Sequence, residues 1–313
     1  MSKVFFTSSL DKVSALFDAA SLSQIIAPNE LVALKIHFGE PGNTAFLKPA
    51  QVKPISDKIF SLGGKPFFTD CNTLYHGPRK TTKEHLQVAI DHGFTKDSAG
   101  ADSIIPEEED SIEVLINCKH LKKAYLGKTA ATKTIIALTH FKGHEVTGFG
   151  GALKNLGMGF GTRLGKLRMH QDCKNCAQAK TCKKNLSLEA CWNGSTGLVQ
   201  EKIVEYAYAS IKDKKSAFIT FLTKISPQCD CYDHNDEPIV PDIGILASLD
   251  PVAIDQAAAD LVNNTSGRIN GADKFKTLYP EVDWSIQLKY AEELGMGSRK
   301  YELICVNPSP VIK

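Results

Sequence analysis

Long apolar runs are missing from this chain. None of its 313 residues belong to a stretch of membrane-spanning length. The amino-terminal MSKVFFTSSLDKV lacks the apolar core and cleavage pattern of a secretory signal, so cytoplasm is the expected location and no membrane partner is expected. A dominant charge is missing as well. Lys plus Arg number 37 against 35 Asp plus Glu, a formal charge of only +2, which gives no reason to expect a nucleic acid. There is no GxGxxG fingerprint, Walker lysine, glycine-flanked serine elbow or zinc-protease helix motif, which sets aside dinucleotide, nucleoside triphosphate and familiar hydrolase chemistry. Internal repeats and low-complexity linkers are absent too. With 42% hydrophobic and 23% charged residues, what remains is an ordered chain with enough length for a sizeable core.

Apolar patterning alternates between the two periods. Val32 to His37 reads as a strand, Pro49 to Leu62 as a helix stopped by Gly63-Gly64, and Lys65 to Thr69 as the next strand. Thr81 and Glu84 form a capping box ahead of a helix ending near Gly93. Ile112 to Ile116 is a strand candidate, His120 to Leu126 a short basic helix or turn, and Thr132 to Thr139 a β-branched strand. Val199 to Ile211 (helix), Ala217 to Leu222 (strand), the apolar DIGILAS, a helix opened by Asp250-Pro251, a helix from Trp284 to Leu294 and the strand YELICV complete the pattern. The expected fold is α/β: a mainly parallel sheet flanked by helices. The expected division is a discontinuous α/β domain, 1–164 and 198–313, with a small irregular cysteine-rich insertion at 165–197.

Polar side chains gather where strands end, which is where open α/β sheets collect ligands. Lys142 and His144 follow the β-branched strand; a lysine there suits an anionic group, and a histidine suits proton transfer. Asp70, Asn72 and Arg79 follow another strand, with Asx-turn stabilisation as the competing account of the first two. Lys35 and His37 close a third, and Lys154 and Asn155 open the helix after the glycines at 148, 150 and 151. Cys229-Asp230-Cys231 is a reactive-looking pair, open to redox, nucleophilic or ligand chemistry, or to simple burial. Together these make Lys142, His144, Cys229 and Cys231 the catalytic candidates, and Lys35, His37, Asp70, Asn72, Arg79, Lys154 and Asn155 the substrate-binding ones.

Nine cysteines with no export signal argue against a disulfide scaffold. Four of them, Cys173, Cys176, Cys182 and Cys191, have Cys-x2-Cys-x5-Cys-x8-Cys spacing and are the candidate metal ligands. Lysines at 174, 180, 183 and 184 would offset tetrathiolate charge. Spacing alone leaves zinc and iron–sulfur open.

The segments KIHFGEPGNTAFLKP, TDCNTLYHGPR, HFKGHEVTGFGGALKNLGMG and CDCYDHNDEPIVPDIGILASLDPVAID, in that order, resemble the DUF362 family over nearly the whole chain. Members of that family often carry a ferredoxin-like insertion with two cysteine quartets after the GGALKNLGMG motif; this chain has one irregular quartet there. The resemblance implies an iron–sulfur cluster of the single 4Fe-4S kind, with zinc as the alternative. It implies an iron–sulfur-associated oxidoreductase or small-molecule enzyme acting on an anionic substrate. The competing readings are an electron carrier docking a redox protein and a zinc-stabilised binding protein.

Overall fold

The computed structural model describes residues 1–182 and 191–306. In chain order, β1 (Ser2–Thr7), α1 (Val13–Ala19), β2 (Leu31–Lys35), α2 (Pro49–Ser61), β3 (Lys65–Thr69), α3 (Thr82–Asp91), α4 (Lys96–Ala99) and β4 (Ser103–Ile104) build one flank. A β5 (Ser111–Leu115) and β6 (Lys123–Gly127) ribbon leads to β7 (Thr134–His140), then a β8 (Lys142–His144) and β9 (Gly148–Gly150) ribbon, α5 (Ala152–Phe160) and α6 (Arg163–His170). The chain closes with α7 (Thr196–Ile211), β10 (Lys215–Leu222), β11 (Gly244–Ser248), α8 (Pro251–Asn264), α9 (Lys274–Leu278), α10 (Ser285–Glu293) and β12 (Tyr301–Cys305).

Eight strands form one sheet in the order β12-β1-β11-β10-β7-β2-β3-β4. Only β11 runs against its neighbours, pairing antiparallel with both β1 and β10. The sheet is therefore mixed: five of its seven pairings are parallel, in line with the expected parallel character, and β11 alone is reversed. The connection from β10 to β11, residues 223–243, contains no helix, whereas parallel neighbours are usually joined through a crossover helix. Alternate side chains of each strand enter two separate cores. Ala33, Ile135 and Ala137 pack with helices α5, α7, α8 and α10, whereas Val32, Leu34, Ile136 and Leu138 pack with α1 and α2. Helices thus cover both faces, and the central strands are buried on both sides, as β7 is throughout.

Local chemistry sets the helix starts. Thr81 caps α3 by accepting from the Glu84 N–H, and Asp250 caps α8 by accepting from Val252 and Ala253. The N-terminus of α5 is capped from another element: buried Asp255 of α8 accepts from the N–H groups of Ala152 (2.6 Å) and Leu153 (3.0 Å). Burial pushes that carboxyl up to about 7 despite the two donors.

Two expectations change. Lys123–Gly127 is a strand rather than a basic helix, its alternate Ala124 and Leu126 buried in the ribbon with β5. No distinct cysteine-rich insertion is evident among the described residues. Residues Arg163–His170 form helix α6, which buries Leu167 and Met169 against the body of the fold.

Helix α5 lies directly on α7 at Gly157, where a Cβ would stand 2.1 Å from the Ile203 carbonyl oxygen. Alanine normally favours a helix over glycine by about 1 kcal/mol. Here overpacking against backbone outweighs that gain, at roughly 1–3 kcal/mol. Gly157→Ala is expected to lower the denaturant midpoint, a shift checked by equilibrium unfolding.

Candidate active site

The carboxyl ends of β2, β3, β7 and β10 lie side by side, and the chain order reverses direction between β2 and β7. Crevices at such reversals are the usual ligand sites of open α/β sheets. Asn155 of α5 spans this one. Its Nδ2 donates to the backbone oxygens of Lys35 (3.2 Å) and Leu138 (3.0 Å), while its Oδ1 accepts from Lys35 Nζ at 2.9 Å. Gly159, one helical turn on, leaves room for the lysine: a Cβ there would sit 2.1 Å from Lys35 Nζ.

Above this seam lies a cavity of about 560 Å³, a volume suited to a small molecule. Lys35, His37, Asp70, Arg79, Lys142, His144, Lys154, Asn155, Cys229 and Cys231 all line it. Asn72 does not. It stands behind Asp70, buried, with Nδ2 on Thr82 Oγ1 (3.1 Å) and Oδ1 facing His85 Nδ1 (3.3 Å).

Buried ion pairs hold the floor. Lys35 Nζ is 3.0 Å from Asp70 Oδ1, and Arg79 Nε is 2.7 Å from Glu40 Oε2. Burial alone would raise the Asp70 carboxyl, but the cations around it, Lys35 foremost, hold it below the usual carboxylate range. Burial also lowers Lys35, an effect that Asp70 partly offsets. On the other side Asp230, fully buried, receives His140 Nδ1 at 2.9 Å and Lys142 Nζ at 3.2 Å. His140 Nε2 faces the Thr223 carbonyl at 2.9 Å. Both ring nitrogens thus point at acceptors, a pair of bonds only the doubly protonated imidazolium donates. Burial works against the Asp230 charge, and His140 and Lys142 overcome it, so its carboxyl also sits below the ordinary range.

The two cysteines flanking Asp230 occupy a turn closed by the Tyr232 N–H on the Cys229 carbonyl at 3.2 Å. Both cysteines line the cavity. Cys229 is depressed well below the usual thiol range. A hydrogen bond from Cys231 contributes most, and Lys154 and His144 reinforce it against burial. Lys154 Nζ lies 3.7 Å from its sulfur. Cys231 is raised by the neighbouring thiolate. Cys71, buried in the same cavity without such donors, is pushed up to about 12 by burial, so position in the cavity alone does not make a thiolate.

The two cavity histidines are locked in one tautomer. His144 Nδ1 accepts from the N–H groups of Val146 (3.1 Å) and Thr147 (3.3 Å), and His37 Nδ1 accepts from that of Gly39 (3.0 Å). Each therefore carries its proton on Nε2. Burial lowers His37 well below the usual imidazole range.

Residues that sequence reasoning passed over complete the site. Glu40 and Tyr75 clamp Arg79, with Tyr75 Oη accepting from its Nη2 at 2.6 Å. Lys166 of α6, buried, donates to the carbonyls of Gly161 (2.6 Å) and Cys71 (3.4 Å). Among the described residues no carboxylate stands within ion-pair distance of it. Glu40 and Tyr75 lie inside quoted motifs, so a polar residue next to a strand-end glycine was the available signal. Lys166 had none, being the lone lysine of a short helix with no motif around it.

The expected iron–sulfur cluster, and zinc as its alternative, are overturned. Among the described residues no group of three or more His, Cys, Asp or Glu side chains is arranged to hold a metal ion. Cys173, Cys176, Cys182 and Cys191 do not line the cavity, and local polar groups engage two of them separately. Gln171 Nε2 donates to Cys173 Sγ at 2.8 Å, and the Cys191 thiol donates to Asn193 Oδ1 at 3.3 Å. Lys183 and Lys184 lie outside the described residues. What this segment gives the cavity is Trp192, whose ring sits 4.0 Å from that of His170 at the rim.

Replacing Asp230 by asparagine should leave Lys142 and the His140 imidazolium buried without their counter-charge, costing roughly 3–5 kcal/mol. A calorimetric midpoint falls in Asp230→Asn and stays unchanged in Asp233→Asn, whose carboxylate is solvent-exposed. Equal midpoints in the two variants would contradict the pinning role.

No helix among the described residues is long and apolar enough to cross a membrane. The backbone is similar to a solved lactate racemase apoprotein from Thermoanaerobacterium thermosaccharolyticum, at 15% identity and a TM-score of 0.44, covering 71% of this chain and 51% of that one. It is also similar to a structural-genomics protein from Thermotoga maritima, at 10% identity and a TM-score of 0.40, covering 68% of this chain and 51% of that one. The chain thus spans about half the length of each. No curated protein matches its sequence. The profile described as "Domain of unknown function (DUF362)" matches residues 32–260, and the chain belongs to that family.

Proposed function

We propose that this protein is an enzyme acting on a small anionic molecule, with Cys229 as its reacting group. The observation that carries the reading is a buried cysteine at the base of a small-molecule-sized cavity, faced by Lys154 and by the protonated Nε2 of His144. Reactive cysteines are recognised by such electropositive surroundings, whereas structural ones are inert.

The anionic substrate follows from charge accounting. Lys35, Arg79 and Lys142 are each matched by a buried carboxylate. Lys166 has only carbonyl partners, which leaves one N–H of its ammonium group to donate. The carboxylates of Glu145 and Asp233 are at the open mouth, where solvent and salt screen them. In this reading Lys166 takes an anionic group and the His37 Nε2–H adds a neutral donor. Cys229 attacks as thiolate, and His144 donates a hydrogen bond through its Nε2–H. Its Nδ1, occupied by two backbone donors, is not available as a base.

Competitive alkylation tests this. Ordinary thiolates react faster with neutral iodoacetamide than with iodoacetate. At Cys229 the iodoacetate-to-iodoacetamide rate ratio should exceed that of free cysteine by about ten-fold and fall as salt is added. Lys166→Met should remove the gain while leaving the iodoacetamide rate in place. A wild-type ratio equal to that of free cysteine would contradict the anionic reading, and a Cys229 inert to both reagents at neutral pH would contradict the enzyme reading.

A further inference from the structure

Cys231 has no task in a mechanism that needs only one thiolate, yet its position is as constrained as that of Cys229. The turn that joins them is held at several points. Asp230 anchors it from below, the Glu40 N–H donates to the Asp230 carbonyl at 3.1 Å, and Tyr75 Oη donates to the Cys231 carbonyl at 3.4 Å. The Asn43 side chain donates to the Tyr232 carbonyl at 3.3 Å. The Asp230 side chain turns into the protein toward His140 and Lys142, while the two flanking cysteines both line the cavity. Cys229 is buried, and Cys231 is partly open.

We propose that Cys229 and Cys231 form a dithiol–disulfide couple that exchanges with an anionic low-molecular-weight disulfide admitted to the cavity. The inference rests on the cavity being a thiolate site for small anions. Two cysteines on a single turn facing one cavity, one of them beside the Lys154 ammonium group, supply an attacking thiolate and a resolving thiol, the two parts that exchange needs. Among the described residues no third metal-ligating side chain joins them in a coordinating arrangement, which leaves the pair to react with each other.

The steps balance. The Cys229 thiolate attacks one sulfur of R–S–S–R; that S–S bond breaks, a Cys229–S–S–R bond forms, and R–S⁻ leaves. Cys231 then gives its proton to that R–S⁻, making R–SH, and its sulfur attacks Cys229 Sγ. The mixed disulfide breaks and a second R–S⁻ departs. Two electrons pass to the small disulfide, and the protein retains an intramolecular Cys229–Cys231 bond. The reverse sequence regenerates the dithiol at the expense of a small thiol.

The substrate side of the cavity fits such a ligand. Lys166 offers a donor for an anionic group, and Trp192, Met158 and Ile203 supply an apolar wall. A volume of about 560 Å³ admits a small disulfide but not a folded protein partner.

Dithiobis(nitrobenzoate), a dianionic aromatic disulfide whose released thiolate is coloured, is a direct probe. After brief exposure of the whole protein, the peptide containing Cys229 and Cys231 is mapped by mass. In the wild type that peptide should be two hydrogens lighter and carry no aryl thiol, and dithiothreitol should restore it. In Cys231→Ser, and equally in Cys231→Ala, Cys229 should keep one aryl thiol, with a lifetime about ten-fold longer or more than in the wild type. A wild-type peptide that retains the aryl thiol as long as the variants do would overturn the couple while leaving the thiolate site intact. A Cys229 that takes up no reagent would overturn both.

Discussion

A single buried carboxylate organises the chemistry of this molecule. Asp230 lies between His140 at the end of β7 and Lys142 at the start of β8, with no solvent contact. A buried charge is tolerated only when its partners are fixed and its lone pairs are used. Satisfying Asp230 therefore fixes the loop after β10 against the sheet, and with it the turn that carries the two sulfurs. The pair need not stabilise the fold relative to an apolar substitute. Its effect is on position, since removing any one member leaves the others charged and unmatched.

A second such arrangement, Lys35 with Asp70 and Asn155, ties β2, β3 and α5 together at the reversal of strand order. Between the two lies the cavity. Its inner surface is neutralised almost everywhere by protein groups, so the few groups left unmatched determine what it binds. Those are Lys166, which meets only carbonyls, and Cys229, whose charge Lys154 and His144 accommodate. Small residues make this density possible. Gly159 lets α5 lie on the Lys35 ammonium, and Gly143 lets β8 approach the Pro227 carbonyl, to which a Cβ would come within 2.1 Å.

Much of the framework is legible in the chain because local chemistry and burial agree. Pro49, Thr81 and Asp250 mark helix starts, and the β-branched run before His140 marks the central strand. Strand-end polarity also points to the residues now found around one cavity. The reversal of β11 was not legible, since GILAS is equally apolar in either direction. β6 was hidden because Lys122 and Lys123 at its start obscured the short alternation of Ala124 and Leu126. The cysteine quartet misled for a related reason. Spacing shows how many thiols lie close in sequence, whereas a metal needs them to converge in space, and here Gln171 and Asn193 engage Cys173 and Cys191 apart from one another. In contrast, the C-x-C pair, open to several readings by spacing, gains its meaning from the His140 and Lys142 that hold Asp230 and from Lys154 and His144 beside Cys229, which come from distant parts of the chain.

The central claim is that Cys229 exists as a thiolate under neutral conditions, held there by its neighbours rather than by exposure. The ultraviolet absorbance of thiolate, followed against pH as a difference between wild type and Cys229→Ser, tests it most directly. A depressed group loses its proton early on a rising titration, so the difference signal should be present well below the ordinary thiol range. In Lys154→Met it should move upward. A difference signal that develops only near the ordinary thiol value of about 8.5, in the wild type and in Lys154→Met alike, would contradict the account.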